Sequence, residues 1–141
     1  DPGNAGTVIR AADAAGAAGV LLSAGSVDVH NPKVVRSTAG SLFHLPVATD
    51  VDLAEVARTA RDRGLQVFAP DGGGEVDLYQ ADLTRPTLWL FGNEAHGLGT
   101  AERELADAVV RIPIHGRAES LNLAMAATVC LYSSARAQHA G

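Results

Sequence analysis

Three short segments of this chain place polar or charged residues among glycines and small apolar residues, a setting in which side chains can act on a ligand. The first is "DPGNAGTVIRAAD", where Asn4 and Arg10 lie six residues apart. Gly3 and Gly6 would let a ligand or a second backbone approach closely, and Asn4 could cap a helix. Arg10 is either a surface arginine at the edge of an amphipathic helix or a residue held in place for a function.

The second segment, "LFGNEAHGLG", directly follows a predicted apolar strand. Gly92, Gly97 and Gly99 allow a sharply turned loop whose backbone N–H groups could approach a ligand. The segment lacks the Lys-Ser/Thr pair of a P-loop and does not match the GxGxxG fingerprint. Glu94 and His96 lie at the carboxyl end of the strand. His96 taken alone is more typical of a structural or solvent-facing residue, and no cluster of ligands supports a metal site.

The third segment is "RIPIHGRAESLNLAMAATVCLY". It predicts a strand that ends in Ile112-Pro113-Ile114, a polar loop, and a helix that begins at Ser120. Ser120 is predicted to cap this helix. Asn122 would then lie two residues inside an apolar helix, where an amide costs stability unless it is paired. We therefore expect Asn122 to be buried and functional.

The elements that must position these segments alternate along the chain. Strands are predicted over residues 20–23, 45–49, 66–70, 87–92 and 108–114, and helices over residues 4–17, 31–39, 52–64 and 120–138. Such alternation predicts an α/β fold with a parallel sheet covered by helices on both faces. Ligands of these sheets bind beyond the carboxyl ends of the strands. The loops after Thr49, Pro70, Gly92 and Ile114 are therefore the candidate site.

Local signals fix several details of these elements. Gly16 and Gly19 are predicted to end the first helix, and Gly64 is predicted to end the helix over residues 52–64. The segment "DGGGE", residues 71–75, is predicted to be flexible. The last helix places four large apolar residues on one predicted face: Leu121, Met125, Val129 and Tyr132. The chain begins at a turn with no preceding strand, so we expect a longer protein to extend before Asp1.

Composition narrows the class of protein. A chain of 141 residues is long enough for one domain, and 47% hydrophobic residues argue against disorder. The single cysteine, Cys130, rules out a disulfide within the chain, favours a reducing cytoplasm and is predicted to be a buried, unreactive thiol. No signal peptide or membrane helix is visible. The net charge of -5 argues against binding nucleic acid through bulk charge, but not through a local basic site or a separate module.

Together, in this order and spacing, the three segments resemble the SpoU (TrmH-like) family of RNA ribose 2′-O-methyltransferases in the SPOUT superfamily. "DPGNAGTVIRAAD" is similar to the first family motif, "LFGNEAHGL" to the second and "IPIHGRAESLNLAMA" to the third. The resemblance extends from Asp1 to about Tyr132. It implies a SPOUT fold with a deep trefoil knot at the C-terminal end.

The resemblance also implies a cofactor and a set of site residues. The cofactor would be S-adenosylmethionine, bound by Ala69, Gly92, Asn93, Glu94, Gly97, Ile112, Ile114 and Leu121. The polar residues that match the family's catalytic positions are Asn4, Arg10, Glu94, Ser120 and Asn122. An arginine side chain stays protonated at neutral pH, so we expect Arg10 to pair with the target phosphate and stabilise the developing alkoxide.

The implied partners are RNA and a second copy of the chain. The family works as a homodimer, in which the first and last helices would form the interface, and neither a metal nor a membrane is expected. Ribosomal RNA is favoured over transfer RNA, and an N-terminal RNA-binding module is expected to be missing from residues 1–141. A local basic face could be assembled from four residues: Arg10, Lys33, Arg36 and Arg117.

Two alternatives remain open at this point. One is a knotted dimer that binds RNA or cofactor without catalytic turnover. The other is a nucleotide-binding α/β domain of the Rossmann type. The missing glycine fingerprint and the missing acidic partner for a ribose argue against the second alternative.

Overall fold

The computed structural model describes residues 2–23, 46–91 and 98–139, and the chain forms two compact units, Asp1–Asp52 and Leu53–Gly141. The first unit contains helix α1 (Pro2–Ala15) and strands β1 (Val20–Ser23) and β2 (Val47–Val51). The two strands pair in parallel, with Val20 opposite Val47. The strand predicted over residues 20–23 is confirmed. The helix predicted over residues 31–39 lies outside the described residues.

Helix α1 is amphipathic, which explains its central arginine. Ile9, Ala11 and Ala12 are buried, whereas Arg10 is exposed. The helix begins at Pro2 because proline suits the first turn, where its missing N–H group has no partner to lose. The predicted cap at Asn4 is therefore wrong, since Asn4 lies inside the helix. The helix ends at Gly16 as predicted, where the glycine adopts a φ of 80°.

Over residues 53–91 and 98–139, the second unit contains a four-stranded parallel sheet and three α-helices. Its elements are α2 (Leu53–Asp62), β3 (Gln66–Pro70), β4 (Val76–Asp77), a short 3-10 helix (Leu78–Gln80), β5 (Thr87–Trp89), α3 (Thr100–Leu105), β6 (Ala108–Arg111) and α4 (Leu123–His139). The strand order is β4-β6-β3-β5. Strand β3 is confirmed, whereas β5 and β6 are shorter than predicted. Strand β6 stops ahead of Pro113, which has no N–H group to donate to a neighbouring strand.

Helices cover both faces of this sheet, as the alternating pattern predicted. Val67 and Ala69 of β3 pack on one face with Ala57 and Ala60 of α2. Phe68, which points to the opposite face, belongs to a second core that contains Cys130 of α4. Alternation of side chains along a strand thus divides β3 between two apolar cores.

Helix α4 packs through small residues because its partners on the sheet are large. Its buried residues are Ala124, Ala127, Cys130 and Ser134. The Trp89 indole N–H donates to Ser134 Oγ at 2.9 Å, and the Trp89 and Phe68 rings meet edge to face at 5.8 Å. The predicted apolar face of this helix is therefore only partly buried. Val129 packs on the core, whereas Met125 and Tyr132 are 61% and 48% exposed.

The segment over residues 71–75 crosses strand β6. It joins β3 to β4, and β6 lies between these two strands in the sheet. Gly74 is buried at the crossing, where a Cβ atom would lie 2.7–2.8 Å from backbone atoms of Val109, Val110 and Arg111. The Gly74 N–H donates to the Asp71 carbonyl oxygen at 3.0 Å. The flexible segment expected from "DGGGE" is thus a tight turn that fits closely against a strand.

The close approach at Gly74 makes its substitution costly. We expect Gly74→Ala to lower the free energy of unfolding by about 1–3 kcal/mol, because the methyl group would meet backbone atoms that belong to a central strand. Thermal unfolding followed by circular dichroism would measure the loss. Gly72→Ala is the matched control, since nothing lies within 4 Å of the added Cβ. Equal melting temperatures for the two variants would contradict the close crossing.

Burial makes Cys130 unreactive, as expected from the sequence. Its side chain is fully buried in the α4 core, and desolvation raises the pKa of the thiol from 9.0 to about 12. We expect the folded chain to resist iodoacetamide at pH 8, because almost no thiolate is present and the sulfur is covered. Mass spectrometry would report the label, and the chain unfolded in guanidinium chloride is the control. Equal labelling rates in the two states would disprove the burial.

Candidate functional site

The carboxyl edge of the second unit's sheet forms the candidate site. Pro70 lies opposite Val110 in the ladder between β3 and β6, and the Leu90 N–H donates to the Phe68 carbonyl oxygen at 2.8 Å. Because the strands are parallel, β3, β5 and β6 all end at this edge. Open parallel sheets bind ligands there.

The predicted cofactor contacts that are described lie at this edge and are apolar. Ala69 is fully buried, and its side chain belongs to the core under α2. It can therefore offer a ligand only its backbone. Ile112 and Leu121 are half-buried and Ile114 is 36% exposed, all in the loop over residues 112–122. Backbone and apolar surface of this kind suit a flat, uncharged ring.

Asn122 caps the last helix, a role that the sequence assigned to Ser120. The Asn122 Oδ1 atom accepts from the N–H groups of Ala124 at 2.8 Å and Met125 at 3.2 Å. Helix α4 consequently begins at Leu123, three residues later than predicted. Asn122 is exposed, so the expected buried amide is wrong. Asparagine caps a helix as well as serine, and capping through Oδ1 does not use the amide nitrogen.

Ser120 lies in the same loop, exposed and two residues ahead of the cap. His115, Arg117 and Glu119 are also exposed there. The loop over residues 112–122 therefore presents apolar, hydroxyl, amide, basic and acidic side chains within one stretch of backbone. Such a mixture can hold a ligand that is partly apolar and partly anionic.

The remaining predicted site residues fall elsewhere. Asn4 and Arg10 belong to α1 in the first unit, with Arg10 exposed. Four predicted cofactor contacts lie outside the described residues, as does His96: Gly92, Asn93, Glu94 and Gly97. The residues that flank this segment, Leu90 and Leu98, are both buried in the core under α2.

Sequence reasoning missed three residues whose side chains hold the turn over residues 71–74: Asp71, Arg103 and Arg111. The Asp71 carboxylate forms an ion pair with Arg103 of α3 and accepts from the Gly73 N–H at 3.1 Å. Arg111 Nη1 donates to the Gly74 carbonyl oxygen at 2.8 Å. An aspartate followed by glycines is a turn signal that could have singled out Asp71. The two arginines lie 32 and 37 residues away along the chain, a separation that no local pattern bridges.

The described part of the chain contains neither a metal-binding cluster nor a membrane-spanning helix. Over residues 2–23, 46–91 and 98–139, no three His, Cys, Asp or Glu residues are grouped so that they could hold a metal ion. Within those same ranges, no helix is long and apolar enough to span a bilayer.

Comparison with known proteins identifies the family. Residues 1–132 match the SpoU rRNA Methylase family. A 23S rRNA (uridine(2479)-2′-O)-methyltransferase from Streptomyces viridochromogenes is 44% identical over 145 residues, which cover 99% of this chain and 50% of that protein. A 23S rRNA (guanosine-2′-O-)-methyltransferase RlmB from Pseudomonas syringae pv. tomato is 37% identical over 140 residues, which cover 99% of this chain and 56% of that protein.

A solved structure agrees with these relatives. The crystal structure of the SpoU methyltransferase AviRb from Streptomyces viridochromogenes, in complex with the cofactor AdoMet, has a TM-score of 0.90 and 43% sequence identity. The match covers 100% of this chain and 55% of that one. The chain thus spans about half the length of the relatives it matches. Since the family match includes all three sequence motifs, the chain belongs to the SpoU rRNA Methylase family.

Proposed function

We propose that this chain is the catalytic domain of an RNA ribose 2′-O-methyltransferase that uses S-adenosylmethionine and acts on ribosomal RNA. The observation that carries the proposal is the loop over residues 112–122, which presents Ser120 and Asn122 beside apolar residues at the carboxyl edge of the sheet. Two relatives named as 23S rRNA 2′-O-methyltransferases favour ribosomal RNA over transfer RNA. Nothing in them favours a binding dimer without turnover, and family membership argues against a Rossmann domain.

The residues at this edge fit S-adenosylmethionine. Ala69 would contribute its backbone, and Ile112, Ile114 and Leu121 would contribute backbone and apolar contacts to the adenine ring. The four residues of the second motif, Gly92, Asn93, Glu94 and Gly97, would complete the cofactor site. When bound, S-adenosylmethionine supplies a methyl group on a positively charged sulfur.

The polar residues would orient the ribose and stabilise its 2′-oxygen. The exposed Ser120 hydroxyl and the Asn122 amide nitrogen can donate hydrogen bonds to the ribose or the cofactor. Arg10 would pair with the target phosphate and stabilise the 2′-oxygen as it loses its proton to that phosphate or to water. Asn4 and Glu94 would position these groups. Most of the rate gain would come from alignment and from exclusion of water.

A homodimer belongs to the same proposal. Met125 and Tyr132 lie seven residues apart on α4, so they project from the same side of the helix, and both are largely exposed. A second copy of the chain would cover them, and α1 would contribute to the same interface. The proposed location is the cytoplasm, where ribosomal RNA is made and modified in bacteria.

The proposed deep trefoil knot draws support from the crossing at Gly74. Strand β6 comes later in the chain than β3 and β4, yet it lies between them and beneath the short segment that joins them. Threading of a late strand past an earlier connection is the kind of step that a knot requires. General rules of topology would not have predicted it.

Two assays test the proposed function: one measures cofactor binding and the other measures methyl transfer to ribosomal RNA. The chain is first titrated with S-adenosylmethionine in a calorimeter, with S-adenosylhomocysteine as competitor. It is then incubated with protein-free ribosomal RNA and cofactor carrying a tritiated methyl group. Label retained in dinucleotides that resist alkali identifies ribose 2′-O-methylation, because alkaline cleavage needs a free 2′-hydroxyl. Label in alkali-sensitive nucleotides would point to base methylation and overturn the proposal.

Arg10 is expected to affect the rate of methyl transfer but not the affinity for the cofactor. We expect Arg10→Ala to reduce the rate of methyl transfer by about 100-fold or more, since it removes a cation that stabilises the developing oxyanion. Cofactor affinity measured by calorimetry should stay unchanged. Arg58→Ala, which removes another exposed arginine from α2, is the control. Full activity in the Arg10 variant would remove Arg10 from the mechanism.

Two substitutions of Asn122 separate its capping role from its proposed catalytic role. Asn122→Ala removes the cap and should cost about 1 kcal/mol of stability, whereas Asn122→Asp keeps a capping oxygen and should melt near the unaltered chain. Because both lose the amide nitrogen, both should lose methyl transfer. Melting curves and the tritium assay measure the two effects. An active Asp variant would leave Asn122 with a capping role alone.

A further inference from the structure

Two arginines from different elements hold the turn over residues 71–74, which we call the crossing turn. Arg103 of α3 pairs with the Asp71 carboxylate at the start of the turn. Arg111, at the end of β6, donates from Nη1 to the Gly74 carbonyl oxygen at 2.8 Å. Its Nη2 atom also lies 3.9 Å from Asp77 Oδ2. The crossing turn is therefore fixed at both of its ends by long side chains.

The crossing turn adjoins two of the backbone positions assigned to the cofactor. Asp71 follows Ala69 by two residues, and Arg111 directly precedes Ile112. The Asp71 N–H also donates to the Val110 carbonyl oxygen at 2.9 Å, which ties the turn to β6. Any shift of the crossing turn would consequently move the backbone at the ends of β3 and β6 together.

Arg103 and Arg111 contribute little to the free energy of unfolding, because both side chains lie at the protein surface. The Arg103 and Arg111 side chains remain 40% and 43% exposed, and exposed ion pairs are screened by water. The turn already has its own hydrogen bond from Gly74 to Asp71, and Gly74 fits against β6. What the arginines add is a fixed orientation of the turn, and fixed contacts improve ligand binding by lowering its ordering cost.

We propose that Arg103 and Arg111 are positioning residues for S-adenosylmethionine, which act by holding the crossing turn and with it the backbone of Ala69 and Ile112. This inference rests on the proposed function, because it needs the cofactor at the carboxyl edge. Neither arginine touches the cofactor. Both act through the turn.

Calorimetric titration with S-adenosylmethionine tests this proposal. Arg103→Gln and Arg111→Gln should each weaken the affinity about tenfold, the effect of losing one charge-assisted hydrogen bond. Their melting temperatures should fall by no more than about 4 °C. Arg103→Lys, which keeps the charge, should recover part of the affinity. Arg58→Gln on α2 is the control and should bind as the unaltered chain does.

A double variant tests whether Arg103 acts through Asp71. Asp71→Asn keeps an acceptor for the Gly73 N–H but removes the charge that Arg103 faces. Combined with Arg103→Gln, it should bind the cofactor no more weakly than either single variant, because both changes break the same contact. Additive losses would show that Arg103 acts by another route and would overturn its role here.

The outcomes separate this proposal from the proposed function. If the unaltered chain binds S-adenosylmethionine and the two glutamine variants bind equally well, only the positioning role is overturned. Weaker binding that accompanies partial unfolding at the assay temperature would overturn it too. If the unaltered chain does not bind the cofactor, the proposed function fails, and the positioning role fails with it.

Discussion

The crossing of the chain over strand β6 at Gly74 is the constraint on which the second unit depends. The segment between β3 and β4 passes so close to the β6 backbone that no side chain fits beneath it. This contact lets β6 pair with β3 on one side and β4 on the other. Without it, β3 and β4 could not lie in register with the same residue, Val110. Because Gly74 has no Cβ atom, β6 can lie at the centre of the sheet and end at the edge that carries the candidate site.

Helices pack against the two faces of the sheet through different types of side chain. Under α2 and α3, aliphatic side chains of the strands meet alanines and leucines of the helices. On the other face, the rings of Trp89 and Phe68 meet edge to face, and the buried residues of α4 on this side are alanine, cysteine and serine. Close approach through small residues turns the larger side chains of α4, Met125 and Tyr132, toward the outside. The packing of the monomer thereby creates the apolar surface that we assign to a second copy.

The charge of the chain limits how the proposed RNA substrate could be bound. A net charge of -5 gives no general attraction to phosphate. RNA binding by these residues would therefore require a local group of exposed cations. Arg10 on α1 and Arg117 in the loop over residues 112–122 are exposed cations in two of the three motifs. Other arginines are engaged within the protein: Arg61 with Asp107, Arg103 with Asp71, and Arg111 with Asp77 and Gly74. Arg61, Arg103 and Arg111 thus make contacts within the second unit, whereas Arg10 and Arg117 are the exposed cations that the proposed function uses.

The sequence by itself determined the α/β class, the parallel strands, the ends of α1 and α2 at Gly16 and Gly64, and the family through its three motifs. These features depend on local periodicity, on glycine conformation and on residue spacing, all of which can be read along the chain. Only the tertiary structure decided that Asn122 and not Ser120 caps α4, that Gly74 crosses β6, and that Arg103 and Arg111 hold the crossing turn. The physical reason is that these outcomes depend on which distant segments pack together, and several capping or turn residues were locally equivalent until that packing selected one.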